Sequence, residues 1–202
     1  MNLDGLPSSF YLRDDVVSVS RGLLGKALCT RIDGRLTKAV ITETEAYAGI
    51  NDRASHAYEG RRTRRTEPMF GPGGTAYVYL CYGIHHLFNV VTNVADMPHA
   101  VLVRGASPLE GVDTIAERRD IGGGSRALLA GPGSLAQGLG ITTELTGTSL
   151  IDGPIWIEDH GISIDEASVM VGPRVGVDYA GEDAALPYRF RITNVGKTTP
   201  SP

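Results

Sequence analysis

What this chain lacks narrows its chemistry before any motif is considered. Its 202 residues hold only two cysteines and three lysines. Cys29 and Cys81 have no partners at metal-ligand spacing and are too few for a disulfide framework, so both read as reduced packing residues. His85 and His86 are adjacent and would face opposite ways on a strand. With no His-x-Glu or Cys-x-x-Cys spacing anywhere, neither a metal nor any other cofactor is called for. The glycines at 122–124 and at Gly131 and Gly133 complete no phosphate-cradling loop, and no Gly-x-Ser-x-Gly elbow offers a serine nucleophile. No apolar run reaches the length of a membrane span. The first residues, with Asp4, Asp14 and Asp15, lack the basic and apolar regions of a secretory signal, so a cytoplasmic protein without a membrane partner is expected.

Basic charge is also short, with a net charge of −4. Averaged over the whole surface, that argues against a nucleic-acid partner, because phosphates need neutralising cations. The distribution says otherwise: Arg61, Arg62, Arg64 and Arg65 fall within five positions that hold no acid. They form either a local basic stripe or a solvated charged loop.

The length and the ordinary apolar content favour one domain over two. A helix is expected near Val16 to Leu24, then strands from Ala27 to Arg31 and Lys38 to Ala46 turning at Gly34. Residues 48–74 read as a long ordered loop, a class of segment that is usually functional. From Thr75 to Val94 the chain reads as a β-hairpin with its tip at Tyr82-Gly83, followed by a strand from Ala100 to Arg104. Ser107-Pro108-Leu109-Glu110 has the form of a capping box with proline at the first helical position, which predicts a helix to about Asp120. Short helices are expected from Ser125, carrying Leu128 and Leu129, and from Pro132 to Leu139. Strands then follow at Ile155 to Glu158, Ser168 to Val171 and Tyr188 to Thr193. Without regular β–α alternation the pattern predicts an α+β domain: a curved, mainly antiparallel sheet surrounded by helices, with a protruding hairpin.

Two clusters could carry chemistry. On a regular strand Ile41, Glu43, Glu45 and Tyr47 share one face, so two acids stand among apolar neighbours. Burial raises a carboxylate's pKa and tunes it for acid–base work, although a half-exposed strand with its glutamates in water fits the same pattern. The second cluster is aromatic: Tyr77, Tyr79 and Tyr82 on the hairpin, with Tyr47 and His56 nearby in sequence. Such rings offer nucleobases stacking faces, although Tyr77 reads better as core.

In this order, Glu43-Thr44-Glu45-Ala46-Tyr47, Ser55-His56, Met69-Phe70, Tyr77-Val78-Tyr79 with Tyr82-Gly83, Asn89, Leu102 to Arg104, and Arg174 to Val177 with Tyr179 to Glu182 resemble the alkyladenine (3-methyladenine) DNA glycosylases. The resemblance runs from about Leu23 to Phe190. It implies a monomeric, cofactor-free enzyme that excises damaged purines from double-stranded DNA. Glu45 would be the base holding the attacking water, supported by Arg104 and the backbone carbonyl of Val175. Tyr47, His56 and Tyr79 would stack the flipped base in a pocket that includes Leu102, and Asn89 would exclude guanine's amine. Tyr82 would wedge into the duplex, and Thr63, Met69 and the arginine stripe would touch DNA. Arg64 stands where the family commonly has proline, and Ser134 where it commonly has a basic residue.

Three further readings follow. A lyase step needs a nucleophilic lysine; Lys26, Lys38 and Lys197 are the candidates, and Lys38 lies an odd number of residues from Glu45, so hydrolysis alone is expected. Tyr79 and Asn89 must share a face to line one pocket, so the hairpin needs an odd-length loop or a bulge rather than a two-residue turn. The alternatives are a damage-binding protein that flips bases without cleaving, and, ranked last, a carbohydrate hydrolase using Glu43 and Glu45 as a carboxylate pair.

Overall fold

A single long strand organises the molecule. In the computed structural model, which describes residues 5–125 and 127–193, strand β2 (Arg35–Tyr47) runs through the middle of the sheet. Before it come the short helices α1 (Ser8–Tyr11) and α2 (Val16–Gly22) and strand β1 (Ala27–Ile32). Helix α2 starts at Asp15, whose carboxylate accepts from the amides of Val17 and Ser18 at 3.0 and 3.1 Å and so satisfies two open N–H groups. Ile32 pairs with Arg35 across Asp33-Gly34, both at positive φ, the two-residue turn that a right-twisted hairpin favours.

Strands β3 (Ala76–Cys81), β4 (His85–Thr92) and β5 (His99–Glu110) continue the sheet, joined later by β6 (Ile155–Glu158), β7 (Val169–Gly172) and β8 (Arg189–Ile192). The order is β3-β4-β5-β2-β1-β6, with β8 on β2 and β7 on β8, and each pairing is antiparallel. The molecule is therefore the expected α+β architecture. β2 meets β5 along one edge, while its other edge passes from β1 to β8. Glu43 and Glu45 lie where β5 and β8 flank β2 together. The main core packs α2, α3 (Val112–Arg119) and α4 (Pro132–Leu139) on the sheet through Val19, Leu23, Ile41, Phe88, Val103, Ile115 and Leu135. Among the described residues no helix is long and apolar enough to cross a membrane.

Three local expectations change. β2 is not regular: Ile41 pairs with Ala106 and Glu43 with Gly105, leaving Thr42 as a bulge. The extra residue reverses the alternation, so Ile41 joins the main core together with Ala46, while Glu43, Glu45 and Tyr47 keep the other face. Ser107 to Glu110 do not cap a helix. They extend β5, because β2 is long enough to pair Ser107 with Val40 and Glu110 with Lys38. Helix α3 starts instead after Gly111, at φ +71°, where an added Cβ would sit 2.4 Å from the Leu36 carbonyl. The helix expected from Ser125 is a set of turns among the described residues; Leu128 and Leu129 are buried there, and the Leu129 carbonyl accepts from the Ala106 amide at 3.1 Å.

Candidate active site

The hairpin β3–β4 has the odd loop that the pocket requires. Cys81 pairs with His85 across Tyr82, Gly83 and Ile84, with positive φ at Tyr82 (51°) and Gly83 (74°). Tyr79 consequently faces Leu87 and Tyr77 faces Asn89, so all four side chains line one cavity. This slot, about 240 Å³ in volume, is closed by Tyr47, His56, Met69, Leu102, Arg104 and Val175 together with Tyr179 at the rim. His56 meets Tyr79 edge-on at 4.7 Å between ring centres. Tyr47 makes no ring contact with either among the described residues.

Behind Tyr47 lies Glu45, fully buried. Its Oε2 accepts from the Tyr47 hydroxyl at 2.9 Å and its Oε1 from the backbone N–H of Val175 at 2.8 Å. The Arg104 guanidinium lies 3.3 Å from Oε1 through Nε, and 3.4 Å from Oε2 through the terminal nitrogen. Burial raises the Glu45 pKa above the ordinary carboxylate value, against the pull of Arg104, the Val175 amide and Tyr47. Tyr47 is itself pushed up, first by burial and then by Glu45, so its hydroxyl keeps its proton. Val175 reaches Glu45 through its N–H, an atom that the sequence reading, which named the carbonyl of this residue, did not single out. Arg104 is shared: its Nε donates to Glu43 at 3.0 Å, and Arg189 donates to the same Glu43 oxygen at 2.8 Å. Glu43 is half-buried and holds Arg104, Arg189 and, at 3.9 Å, Arg191 beside the site, an arrangement unlike a pair of catalytic acids flanking one bond.

His56 accepts or donates at 2.9 Å with the Tyr77 hydroxyl. Burial, with Arg65 and Arg61 nearby, lowers its pKa to about 4, so the imidazole is neutral at pH 7. Tyr77 is buried as expected of core, yet it also lines the slot. Asn89 donates to the carbonyls of Tyr77 and Leu87 at 3.1 and 3.3 Å. Carbonyls only accept, so it is the amide nitrogen and not the oxygen of Asn89 that faces them.

The arginine stripe divides. Arg62 is tied to Glu67 and Asp96 at 2.7 and 2.6 Å and lies over Phe70, which occupies the donors that a phosphate would use. Arg65 sits over Tyr79, 5.2 Å from the ring centre. Arg61 and Arg64 are exposed beside Thr63, whose amide donates to the Thr66 hydroxyl at 2.8 Å. Met69 is turned inward by the 3₁₀ helix Glu67–Phe70; its buried side chain lines the slot and does not stand on the surface where DNA would pass. Tyr82 is 92% exposed at the hairpin tip. Cys29 packs with Ala27 and Trp156, whereas Cys81 is no packing residue: it lines the slot as a free thiol.

One pair escaped the sequence reading. Arg174 is buried, donates to both oxygens of Asp52, to the Ala46 carbonyl at 2.9 Å and to the Asp183 carbonyl at 3.1 Å, and lies over the Tyr47 ring at 4.8 Å. It fastens the segment that delivers Val175 onto the strand that carries Glu45. Its place in the Arg174–Val177 motif was visible; its partner, 122 positions earlier, was not.

A sheet that closes a ring-lined slot beside one buried carboxylate defines a single-domain α+β protein. The chain matches the Methylpurine-DNA glycosylase (MPG) family over residues 9–195, and it belongs to that family. It is 45% identical over 194 residues to a protein of Chlamydia felis, covering 96% of this chain and 98% of the relative. It is 46% identical over 188 residues to one of Chlamydia abortus, covering 93% and 97%, and 42% identical over 193 residues to one of Bacillus cereus strain G9842, covering 91% and 93%. Each of these relatives carries the provisional name 3-methyladenine DNA glycosylase.

Proposed function

We propose that this protein, acting as a monomer on double-stranded DNA, flips alkylated or deaminated purines into the slot and hydrolyses the N-glycosidic bond. The substrates are of the 3-methyladenine, hypoxanthine and ethenoadenine class. The observation that carries this reading is Glu45: a buried carboxylate with a raised pKa, bonded to the hydroxyl of the ring that forms one wall of the slot. A duplex hides its glycosidic carbon, so the nucleotide must leave the stack, and Tyr82, exposed at the tip of the hairpin, fills the gap. Tyr47 forms one wall for the base and the His56–Tyr79 pair the other, the two rings of that pair standing at 76° so that one offers its face and the other its edge. Asn89, held by two carbonyls, rejects the exocyclic amine of guanine.

Water then adds to C1′ and the C1′–N9 bond breaks, its electron pair leaving with the base. Glu45 takes the proton that the water gives up. A cationic alkylated purine departs neutral; a neutral purine departs with negative charge unless it is protonated. For water to reach Glu45 the Tyr47 hydroxyl gives up its place on Oε2, while the Val175 amide and Arg104 keep the carboxylate aimed. Arg61, Arg64, Arg65 and Thr63 are the exposed groups of the basic segment left to meet the DNA backbone. No lyase step is expected: Lys26 is paired with Asp159 and Lys38 with Glu158, neither lines the slot, and Lys197 lies outside the described residues.

The second reading, damage binding without cleavage, draws on the fact that Glu45 is wholly covered and both its oxygens are engaged. Incubation of duplexes bearing hypoxanthine, ethenoadenine or 3-methyladenine, followed by alkali, separates the two. Strand breaks from the wild type and none from Glu45→Gln support hydrolysis. Retarded duplex with no break from either protein overturns hydrolysis and leaves binding.

A further inference from the structure

Both aromatic walls of the slot carry a guanidinium, and neither guanidinium lines the slot itself. Arg174 lies over Tyr47 at 4.8 Å and Arg65, which is exposed, over Tyr79 at 5.2 Å; both rings line the slot and neither arginine does. The two are not equivalent. Arg174 is neutralised by Asp52, which takes both of its terminal nitrogens. Arg65 makes no ion pair among the described residues. Its charge also reaches His56, beside Tyr79, helping to hold that imidazole neutral.

A ring attracts a cation through the negative charge on its face, and a cation already seated on one face draws that charge away from the other. A second positive charge stacked on the far face also meets direct repulsion. A neutral purine meets the reverse: as the C1′–N9 bond breaks, the electron pair moves onto the base, and a fixed positive charge behind the stacking ring stabilises it. We infer that Arg65 is a specificity-determining residue which, through Tyr79, disfavours cationic alkylated purines and favours neutral ones such as hypoxanthine. This rests on the base-excising reading of the slot. It gives Arg65 a role beside that of a phosphate contact and makes damage selection depend on more than attraction between cationic bases and electron-rich rings.

The test compares wild type with Arg65→Gln on two duplexes of one sequence, one carrying 3-methyladenine and one hypoxanthine. Single-turnover base release is measured for each, and equilibrium binding of the same duplexes is measured with and without Arg65→Gln in a Glu45→Gln background. The ratio of cationic to neutral lesion is expected to rise about fivefold in both assays, with hypoxanthine release slowing outright. An unchanged ratio overturns the inference. So does an equal loss on both duplexes with a shallower salt dependence, which would make Arg65 a phosphate contact. If the wild type releases neither base, the hydrolytic reading fails, and the binding ratio still decides the role of Arg65.

Discussion

Two buried glutamates, Glu45 and Glu158, have opposite fates. Glu158 is 5% exposed, and its carboxylate is saturated by Lys38 Nζ at 2.9 Å, Trp156 Nε1 at 2.7 Å and His160 Nε2 at 2.7 Å. Burial alone would raise its pKa, but Lys38, Trp156 and His160 outweigh it and bring the group down to about 2. Glu45 is 0% exposed, its cation stands at 3.3 Å, and burial wins. Burial therefore does not by itself make a carboxylate reactive. What differs is whether close cations saturate it and whether a cavity lies next to it. Glu158 is locked as a structural anion at the β1–β6 edge, whereas Glu45 lies behind Tyr47, Arg104 and Val175, which line the slot.

Exchanging each acid for its amide sharpens this contrast. Glu45→Gln should lower base release by on the order of 10³-fold, while its unfolding midpoint in urea stays level or rises, since a buried charge is replaced by a neutral group of the same shape. A stability loss matching that of Glu158→Gln would erase the distinction between the two sites. Next in size, Arg174→Met leaves Asp52 buried without its cation and should cost about 3 kcal/mol in urea unfolding. Base release should fall as well, because Val175 loses its anchor; unaltered stability would show that the Arg174–Asp52 pair does not hold the site. Smaller again, Glu158→Gln should cost about 2 kcal/mol at pH 7 and leave release per folded molecule untouched. The folded-state pKa of Glu158 is depressed, so its contribution is present above the ordinary value of 4.5 and is lost as the pH falls toward about 2. The stability gap between Glu158→Gln and wild type should therefore narrow on acidification, and a constant gap would show that ionisation of Glu158 does not contribute.

Much of the site was legible because it rests on period-two faces. Glu43, Glu45 and Tyr47 were placed together correctly, and the demand that Tyr79 and Asn89 share a face anticipated the odd hairpin loop. Ile41 was misplaced because a bulge at Thr42 is set by the partner strand and leaves no mark in the alternation. The helix start at Ser107 failed for a related reason: a capping box is a local preference, and thirteen residues of β2 offered backbone bonds that outweighed it. Arg62 was counted with the stripe until Asp96, 34 positions away, proved to hold it. Arg174 and Asp52 were invisible as a pair because ion pairs across 122 positions have no sequence signal in a single chain.

The central claim is that Glu45 acts as the base beneath the slot with its pKa above the ordinary carboxylate value. The most direct measurement is the pH dependence of single-turnover release of 3-methyladenine, a base that is already cationic and needs no proton to leave. A raised pKa keeps Glu45 protonated and inactive to higher pH. The rate should therefore rise with pH through a limb above 4.5 and then level off, and Glu45→Gln should show no such limb. A wild-type rate independent of pH over that range, or an identical limb in Glu45→Gln, would contradict the account.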